Sequence, residues 1–304
     1  MTAFEWLAYF ALAGTIAPVL QAKPHCPGNV TSLHFHPGHG SQIIAPVMIN
    51  HTGPYDFLVD TGAEVTIVDS SLAGSLNLDM QGKAELVGIG FHERAGFAQT
   101  ASLQVGSEEV TGLRVLVRSA ALPNSADPAL RGILGGDFLS RFDLLIDNAH
   151  QVLCLDHGDA LRGELRSNHV NLQDLPGSPN DPGLSRPPMI TARLSGLSAP
   201  KLLLLDSGAT VSLLYGGGTQ LAAGPSQPGT LRGTGAGGGN RNFTALPAQD
   251  MRIGSFNFAR ITFVALRESK SDLRPGAADG LLTTGIFRRV FISYSQHFAV
   301  VEPW

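Results

Sequence analysis

The sequence predicts an all-β protein made of two similar β-barrel-like lobes, and two observations lead to this prediction. The first is a pattern that occurs twice, at residues 57–68 and 203–214: an apolar run, then Asp-Thr/Ser-Gly-Ala, then an alternating run rich in β-branched residues. Such runs around a glycine turn are typical of two short strands joined tightly. The second is the composition, because 36 glycines and only 15% charged residues suit a protein of many strands and turns.

The repeat extends well beyond the doubled pattern, because further landmarks follow each copy in the same order. They are Leu86–Gly90, Leu103–Ser107, Leu113–Val117 and Gly132–Gly136 in the first half, and Leu231–Gly235, Met251–Ser255, Arg260–Val264 and Gly280–Thr284 in the second. An ordered repeat with so long a period predicts an internal duplication into two lobes, not a solenoid of short repeats.

Each copy of the pattern has one aspartate, Asp60 or Asp206, directly after an apolar run. A carboxylate at such a position is costly unless it is hydrogen-bonded or takes part in chemistry. One Asp-x-Gly alone is typical of an ordinary β-turn, but two copies at matching places predict a pair of carboxylates. Two facing carboxylates share one proton near neutral pH, so one can act as a base and the other as an acid.

From about residue 42 to residue 304 the chain resembles the aspartic peptidases. The shared motifs are Asp-Thr/Ser-Gly-Ala, a Gly-rich hairpin downstream, and Ile-Leu-Gly, in that order. The alanine after each Gly and the Gly-Ile-Gly hairpin without a tyrosine are more similar to the retroviral-type (retropepsin-like) branch. The single chain with two lobes resembles pepsin. The resemblance implies an acid-protease fold with its active site at the lobe interface.

The resemblance also implies roles for individual residues. Asp60 and Asp206 are the expected catalytic pair, which activates a water by general acid–base catalysis and needs neither a cofactor nor a metal. Hydroxyl groups beside the pair are expected to hydrogen-bond across the lobe interface, and glycines to allow the tight turns. The residues expected to support the pair are Thr61, Gly62, Ser207 and Gly208.

Two Gly-rich stretches are expected to form flaps that close over the substrate and exclude water. They contain Gly88, Ile89, Gly90 and Phe91 in the first lobe and Gly233, Thr234 and Gly235 in the second. The second stretch also fits a plain surface loop. It matches G-x-G-x-x-G as well, but no strand–turn–helix pattern surrounds it, which excludes a nucleotide site.

Two departures from the family patterns lead to further expectations. Ala63 and Ala209 stand where many pepsin-like enzymes have a hydroxyl group that donates to the carboxylate. Without that donor the lower titration step of the pair is expected to be higher, and the activity optimum mildly acidic. In the second lobe Thr283 replaces the Gly of Ile-Leu-Gly, so either this threonine is tolerated or the packing there is looser.

The segments expected in chain order are a signal peptide (1–22), a His/Pro/Gly-rich leader (23–41), an N-terminal lobe (42–158), a Pro/Gly-rich linker (159–186) and a C-terminal lobe (187–304). The apolar run at 6–19 fits a secretory signal and is short for a membrane span. Its n-region, however, has Glu5 and no Lys or Arg. We therefore expect an exported protein, periplasmic or secreted, with a buried helix or a membrane anchor at 4–20 as alternatives.

The cysteines and the leader histidines leave further alternatives open. Cys26 and Cys154 can form a disulfide in an oxidising compartment or remain as two buried thiols. His34 and His36 can chelate a divalent metal together with Cys26, but the stretch also fits a flexible leader, and no second Cys or carboxylate stands nearby. The net charge of −4, without a basic cluster, argues against a nucleic-acid partner.

The function expected from these residues is an aspartic endopeptidase that binds an extended peptide or protein substrate between its lobes. Because both aspartates lie on one chain, a monomer is sufficient, and no stable membrane span is expected after processing. Two alternatives remain: a non-catalytic peptide-binding protein of the same fold, and a processing protease of narrow specificity.

Overall fold

The computed structural model is built mainly of β-strands. It describes residues 26–27, 30–38, 40–88, 91–119, 129–165, 169–174, 186–215, 221, 230–234, 240–266 and 278–304. The expected signal peptide, residues 1–22, lies outside the described residues, as do Ile89, Gly90 and Gly235 of the expected flaps. None of the helices within the described ranges is both long and apolar enough to cross a membrane.

The first half of the chain contains strands separated by Gly- and Pro-rich turns, as its residue pattern predicts. In chain order they are β1 (Thr31–His34), β2 (His36–Pro37), β3 (Ile43–Ile49), β4 (Thr52–Val59), β5 (Ile67–Asp69), β6 (Asp79–Gly88), β7 (Phe91–Gln99), β8 (Ser102–Val105), β9 (Glu108–Thr111), β10 (Arg114–Arg118), β11 (Leu130–Leu134), β12 (Asp143–Asp147), β13 (Val152–Asp156) and β14 (Val170–Asn171). The helices are α1 (Ser70–Ser75), α2 (Gly136–Leu139) and α3 (Ala160–Glu164). The first begins where the Asp69 side chain accepts hydrogen bonds from the first-turn N–H groups.

The second half contains a similar series of strands. They are β15 (Met189–Leu194), β16 (Lys201–Asp206), β17 (Ser212–Tyr215), β18 (Thr230–Thr234), β19 (Asn240–Ala245), β20 (Gln249–Ile253), β21 (Phe256–Ile261), β22 (Phe263–Leu266), β23 (Gly280–Thr283), β24 (Arg289–Ser293) and β25 (Phe298–Glu302). Buried and exposed side chains alternate along β20, which is the pattern of a strand with one face on a core. A 3-10 helical turn, Thr284–Ile286, follows β23.

Each half folds into its own sheet, and the two sheets have the same strand order. The order is β6-β7-β10-β5-β11-β4-β3-β8-β9 in the first half and β18-β19-β22-β17-β23-β16-β15-β20-β21 in the second. In both sheets, the strand that leads to the aspartate (β4 or β16) pairs in parallel with a later strand. This later strand is β11, which carries the Ile-Leu-Gly motif, in the first lobe and its counterpart β23 in the second. The expected all-β fold is confirmed. The origin of the two halves by duplication stays a prediction, which the shared strand order supports.

A further six-stranded sheet, in the order β1-β13-β12-β24-β25-β14, joins the two lobes at their base. Its central strands β12 and β24 come from different lobes and pair antiparallel. The stretch 23–41, expected to be a leader, contributes the edge strand β1, and the stretch 159–186, expected to be a linker, contributes the opposite edge strand β14. Both segments are therefore part of the fold, through pairing partners far away in the sequence.

The outer face of this base sheet has a small apolar core of its own. Leu161 of α3 is buried there together with side chains of β12, β13, β24 and β25. Cys26 and Cys154 form a disulfide in this cluster, with 5.8 Å between their Cα atoms. The alternative of two buried thiols is therefore wrong, and the bond ties the N-terminal segment to β13.

Candidate active site

Asp60 and Asp206 lie on equivalent loops at the ends of the equivalent strands β4 and β16. In each loop one carboxylate oxygen, Oδ1, accepts hydrogen bonds from the backbone N–H groups two and three residues later. The N···O distances are 2.9 Å from Gly62, 3.1 Å from Ala63, 2.8 Å from Gly208 and 3.0 Å from Ala209. These bonds fix the orientation of each carboxyl group and leave its Oδ2 atom for other contacts.

The two loops are in direct contact through their glycines. A Cβ atom at Gly62 would lie 2.8 Å from Cγ of Asp206, and a Cβ atom at Gly208 would lie 2.5 Å from Cγ of Asp60. Any side chain at either position would displace the carboxyl group of the opposite lobe. The glycine of each Asp-Thr/Ser-Gly motif is thus required by the close approach of the two aspartates.

The hydroxyl residues Thr61 and Ser207 lock the two loops together with a reciprocal set of hydrogen bonds. Thr61 Oγ1 donates to the carbonyl of Leu205 (2.7 Å) and accepts from the N–H of Ser207 (3.1 Å). Ser207 Oγ donates to the carbonyl of Val59 (2.7 Å) and accepts from the N–H of Thr61 (3.1 Å). Both side chains are buried, so this network holds the aspartate pair rigid across the lobe interface.

The surroundings of the two carboxyl groups raise the pKa of both. Burial is the main cause for each, and the charge of Asp60 raises the pKa of Asp206 further, to well above its ordinary value of 3.8. The two carboxyl groups are close enough for the ionisation of one to affect the other. They therefore titrate as a pair, in which loss of the first proton makes loss of the second harder.

Two tyrosines lie within electrostatic range of the pair. Burial raises the pKa of both phenols, and the charge of Asp206 adds to this at Tyr215 and the charge of Asp60 at Tyr294. Both phenols are therefore neutral at any pH at which the pair is singly ionised. The hydroxyl of Tyr294 is buried and has no hydrogen-bond partner among the described residues.

The supporting motif differs between the lobes, as the sequence indicates. In the first lobe a Cβ at Gly135 would lie 2.5 Å from the backbone carbonyl of Val65, so only glycine fits there. In the second lobe Thr283 stands at the matching place, where its hydroxyl donates to the carbonyl of Ala209 (2.7 Å) and accepts from the N–H of Gly285 (3.3 Å). Of the two expectations, the structure shows that Thr283 is tolerated, because its hydroxyl is hydrogen-bonded within the second Asp loop.

Both expected flaps are β-hairpins as far as the described residues extend. Gly88 ends β6 and pairs with Phe91 at the start of β7. In the second lobe Gly233 and Thr234 belong to β18, which pairs with β19. The tips of both hairpins lie outside the described residues, so the contact of the flaps with a substrate stays a prediction.

Several residues around the pair were not predicted from the sequence. Gln42, just before β3, reaches across the interface and donates to the carbonyl of Gly208 (2.6 Å), while Ser41 Oγ lies 3.0 Å from Thr283 Oγ1. Asn148 donates to the carbonyls of the turn after β23. Asp137 accepts hydrogen bonds from the backbone and the hydroxyl of Thr66. None of these belongs to a repeated motif, so no local signal marks them.

No metal site is evident in the described part of the chain, where no three His, Cys, Asp or Glu side chains come together as ligands. His34 and His36 lie on consecutive strands, β1 and β2, which belong to different sheets, and both side chains are exposed. Among the described residues, the pair of aspartates is therefore the group whose geometry best fits a catalytic role.

Comparison with known proteins finds one matching family and similar solved structures. Residues 45–141 match the family model of the gag-polyprotein putative aspartyl protease. Among solved structures the chain is similar to a retropepsin-like aspartic protease from Rickettsia conorii, with 21% identity, coverage of 41% of this chain and 90% of that chain, and a TM-score of 0.34. No curated protein matches the chain.

The family match covers the Asp60 loop, the first flap hairpin and the Ile-Leu-Gly strand. These are the elements in which the sequence resembles aspartic peptidases, and they form one side of the interface with the second Asp loop. The similarity to the gag-polyprotein putative aspartyl protease is therefore found in residues 45–141, about a third of the chain.

Proposed function

We propose that the chain is an aspartic endopeptidase that hydrolyses peptide bonds with a water activated between Asp60 and Asp206. The observation that carries the proposal is the contact of the two loops, in which the glycine of each loop lies against the carboxyl group of the other. The raised pKa of both carboxyl groups, caused mainly by burial, supports the same proposal. Because one chain supplies both aspartates, a monomer is sufficient for this chemistry.

In the proposed mechanism the free enzyme holds one proton on the pair, because two facing carboxylates cannot both ionise cheaply. The ionised carboxylate takes a proton from the water as its oxygen attacks the scissile carbonyl carbon, and the protonated carboxyl group donates to the carbonyl oxygen. The tetrahedral intermediate collapses when the carboxyl group that took the proton from the water passes it to the leaving nitrogen and a hydroxyl proton of the intermediate returns to the other carboxylate. No covalent intermediate forms with the protein.

The proposed optimum is mildly acidic. Burial raises the pKa of Asp60 and of Asp206, and the side chains of Ala63 and Ala209 offer no hydroxyl donor to oppose this rise. The singly protonated state therefore begins at a higher pH than in a pair stabilised by such donors. A maximum of the rate near about pH 2 would contradict this part of the proposal.

The proposed substrate is a peptide or protein segment in extended conformation, bound between the lobes beneath the two hairpins. Export to an oxidising compartment, periplasmic or secreted, is proposed for the location, with an anchor at residues 4–20 as the alternative. The disulfide between Cys26 and Cys154 supports export, because such bonds persist in oxidising compartments and are rare in the cytosol.

The test is cleavage of a peptide mixture, from about pH 3 to about pH 7, by the wild type, Asp60→Asn and Asp206→Asn, with and without pepstatin. We expect each variant to lose activity by a factor on the order of 10³ or more, because both carboxyl groups are needed for acid–base catalysis. Circular dichroism of each variant checks that the isosteric change leaves the fold intact. Undiminished cleavage by both variants would overturn the mechanism.

The same assay separates the two alternative functions. A wild-type protein that binds peptides without cutting them would be a non-catalytic peptide-binding protein of this fold. Cleavage confined to one or a few sequences in the mixture would identify a processing protease of narrow specificity. Resistance to pepstatin alone would not argue against catalysis by the aspartate pair, because the two hairpins can exclude the inhibitor.

A further inference from the structure

The segment before the first strand differs between the two lobes. Gln42 precedes β3 in the first lobe, and Pro187 and Pro188 precede β15 in the second. A glutamine side chain carries two N–H donors, whereas the proline side chain carries none. Only the first lobe can therefore extend a side-chain donor from this place to the loop of its neighbour.

Gln42 uses this capacity on the second Asp loop. The side chain of Gln42 is buried, with 3% exposure, and its Nε2 donates to the carbonyl oxygen of Gly208 at 2.6 Å. That carbonyl belongs to the same peptide unit as the N–H of Ala209, which donates to Oδ1 of Asp206 at 3.0 Å. A continuous chain of hydrogen bonds thus runs from the first lobe through one peptide group to the carboxylate.

Such a chain strengthens its last bond in two ways. Donation to the carbonyl oxygen polarises the peptide group and makes its N–H a better donor, by roughly 10–30% per bond in condensed phases. It also fixes the plane of the peptide, so that the N–H keeps pointing at the carboxylate. A stronger N–H donor stabilises the ionised form of a carboxyl group.

Neighbouring contacts hold the next peptide of the same loop. Ala209, which follows the polarised carbonyl, has its own carbonyl bonded by the hydroxyl of Thr283 (2.7 Å). Thr283 Oγ1 in turn lies 3.0 Å from Oγ of Ser41, the residue before Gln42. Gly285 leaves room for Ser41, because a Cβ at Gly285 would overlap the serine side chain. Two consecutive residues of the first lobe thus support the second Asp loop, Gln42 by a direct hydrogen bond and Ser41 through Thr283.

We propose that Gln42 is a positioning residue for the reaction, which holds the Gly208–Ala209 peptide in the plane that stabilises the anionic form of Asp206. The inference rests on the proposed peptidase function and adds to it a role for a side chain that acts through the peptide it bonds. Gln42 limits the effect of burial on Asp206 and keeps the pair singly ionised at lower pH. Among the described residues, the phenols of Tyr215 and Tyr294 lie within electrostatic range of the pair, and both are neutral over this range.

The test compares Gln42→Ala and Gln42→Glu with the matched control Gln104→Ala. Gln104 makes the same kind of bond, from its Nε2 to the carbonyl of Gly106 at 2.9 Å, but it is on β8, away from the aspartates. We expect Gln42→Ala to lower kcat about threefold to tenfold with little change in KM, and to move the acid limb of the pH profile upward. Gln104→Ala should behave as the wild type.

Gln42→Glu keeps the size of the side chain and makes the donor depend on pH. When the introduced carboxyl group is protonated its O–H can donate to Gly208, and when it is ionised it can only accept. We therefore expect near wild-type rates at the acid end of the profile and an additional fall as the pH rises. This variant keeps the test valid if Gln42→Ala does not fold.

A second readout does not depend on turnover. In protein labelled with ¹³C at the Asp carboxyl carbons, we expect Gln42→Ala to raise the lower titration step of the pair and to move the amide proton of Ala209 toward weaker hydrogen bonding. Unchanged values of both in a folded Gln42→Ala variant would overturn the inference. So would an unchanged amide proton of Ala209 in Gln42→Glu at a pH at which the introduced carboxyl group is ionised. If the wild type cuts no peptide while the Gln42→Ala variant still shows these shifts relative to it, the proposed function is overturned and the role of Gln42 stands.

Discussion

The two lobes share their strand order and the geometry of their Asp loops, yet they support these loops differently. In the first lobe, glycine at position 135 packs against the backbone of Val65, and Asp137 bonds the same loop. In the second lobe Thr283 takes the place of that glycine, and Ser41 of the first lobe contacts it. The groups that touch the carboxylates are alike in both lobes, while the layer behind them differs. The two lobes are thus alike in the loops that carry the carboxyl groups and different in the residues that pack behind those loops.

The largest expected effect concerns the reciprocal bonds between the loops. Thr61→Val and Ser207→Ala each remove two buried hydrogen bonds and leave backbone partners unsatisfied. We expect each variant to lower the free energy of unfolding by about 2–4 kcal/mol. Chemical denaturation of the two single variants and the double variant measures this.

Thr100→Val is the control for that comparison, because the buried Thr100 hydroxyl donates one bond, to the carbonyl of Leu113, and does not contact the second lobe. It should cost about 1 kcal/mol. In the double variant the two losses should be less than additive, because each residue is both donor and acceptor for the other. Fully additive losses would show that the two hydroxyls do not act as one unit.

A smaller effect is expected from the layer behind the loops, where the lobes differ. Gly135→Ala forces a Cβ against the backbone of Val65, so we expect the free energy of unfolding to fall by about 1–3 kcal/mol. Thr283→Ala causes no overlap and removes only the threonine hydrogen bonds, with a cost of about 1 kcal/mol. Thermal or chemical unfolding of both variants tests whether the lobes are supported in different ways.

Gly163→Ala in α3 is the matched control for the glycine change, because no atom lies within 4 Å of a Cβ at that position. There alanine should leave stability unchanged or raise it by up to about 1 kcal/mol, since glycine is the poorer helix former. If Gly135→Ala were as harmless as Gly163→Ala, the close packing of the first lobe would not be what distinguishes it from the second.

The smallest expected effect is the pH dependence of stability that the pair causes. The folded-state pKa of Asp206 is raised by burial and by Asp60, so the folded protein binds a proton more tightly than the unfolded chain. The stabilisation is complete below the ordinary pKa of 3.8 and is lost as the pH rises through the raised value. Relative to the wild type, Asp206→Asn should therefore gain in Tm as the pH rises from about 3 to about 7. A constant difference in Tm over this range would contradict the raised pKa.

The base sheet shows what local sequence patterns could not predict. Its edge strand β1 lies in a stretch of His, Pro and Gly residues that is typical of a flexible leader, and its pairing partner is more than a hundred residues away, as the Thr31–Leu155 pair shows. The disulfide of Cys26 joins the same distant segments. Such contacts depend on which distant segments the complete fold brings together, and local sequence propensities do not contain this information.

The sequence by itself determined the all-β class and the two Asp-Thr/Ser-Gly loops, because short strands, glycine turns and a doubled motif are local features that a pattern can reveal. Only the tertiary structure decided that Cys26 pairs with Cys154, that Thr283 is accommodated by hydrogen bonds, and that Gln42 reaches the second Asp loop. The physical reason is that these contacts arise between segments brought together by the folded sheets. The energy of these contacts depends on the distance and burial of groups from different segments, and the local sequence of one strand does not reveal either quantity.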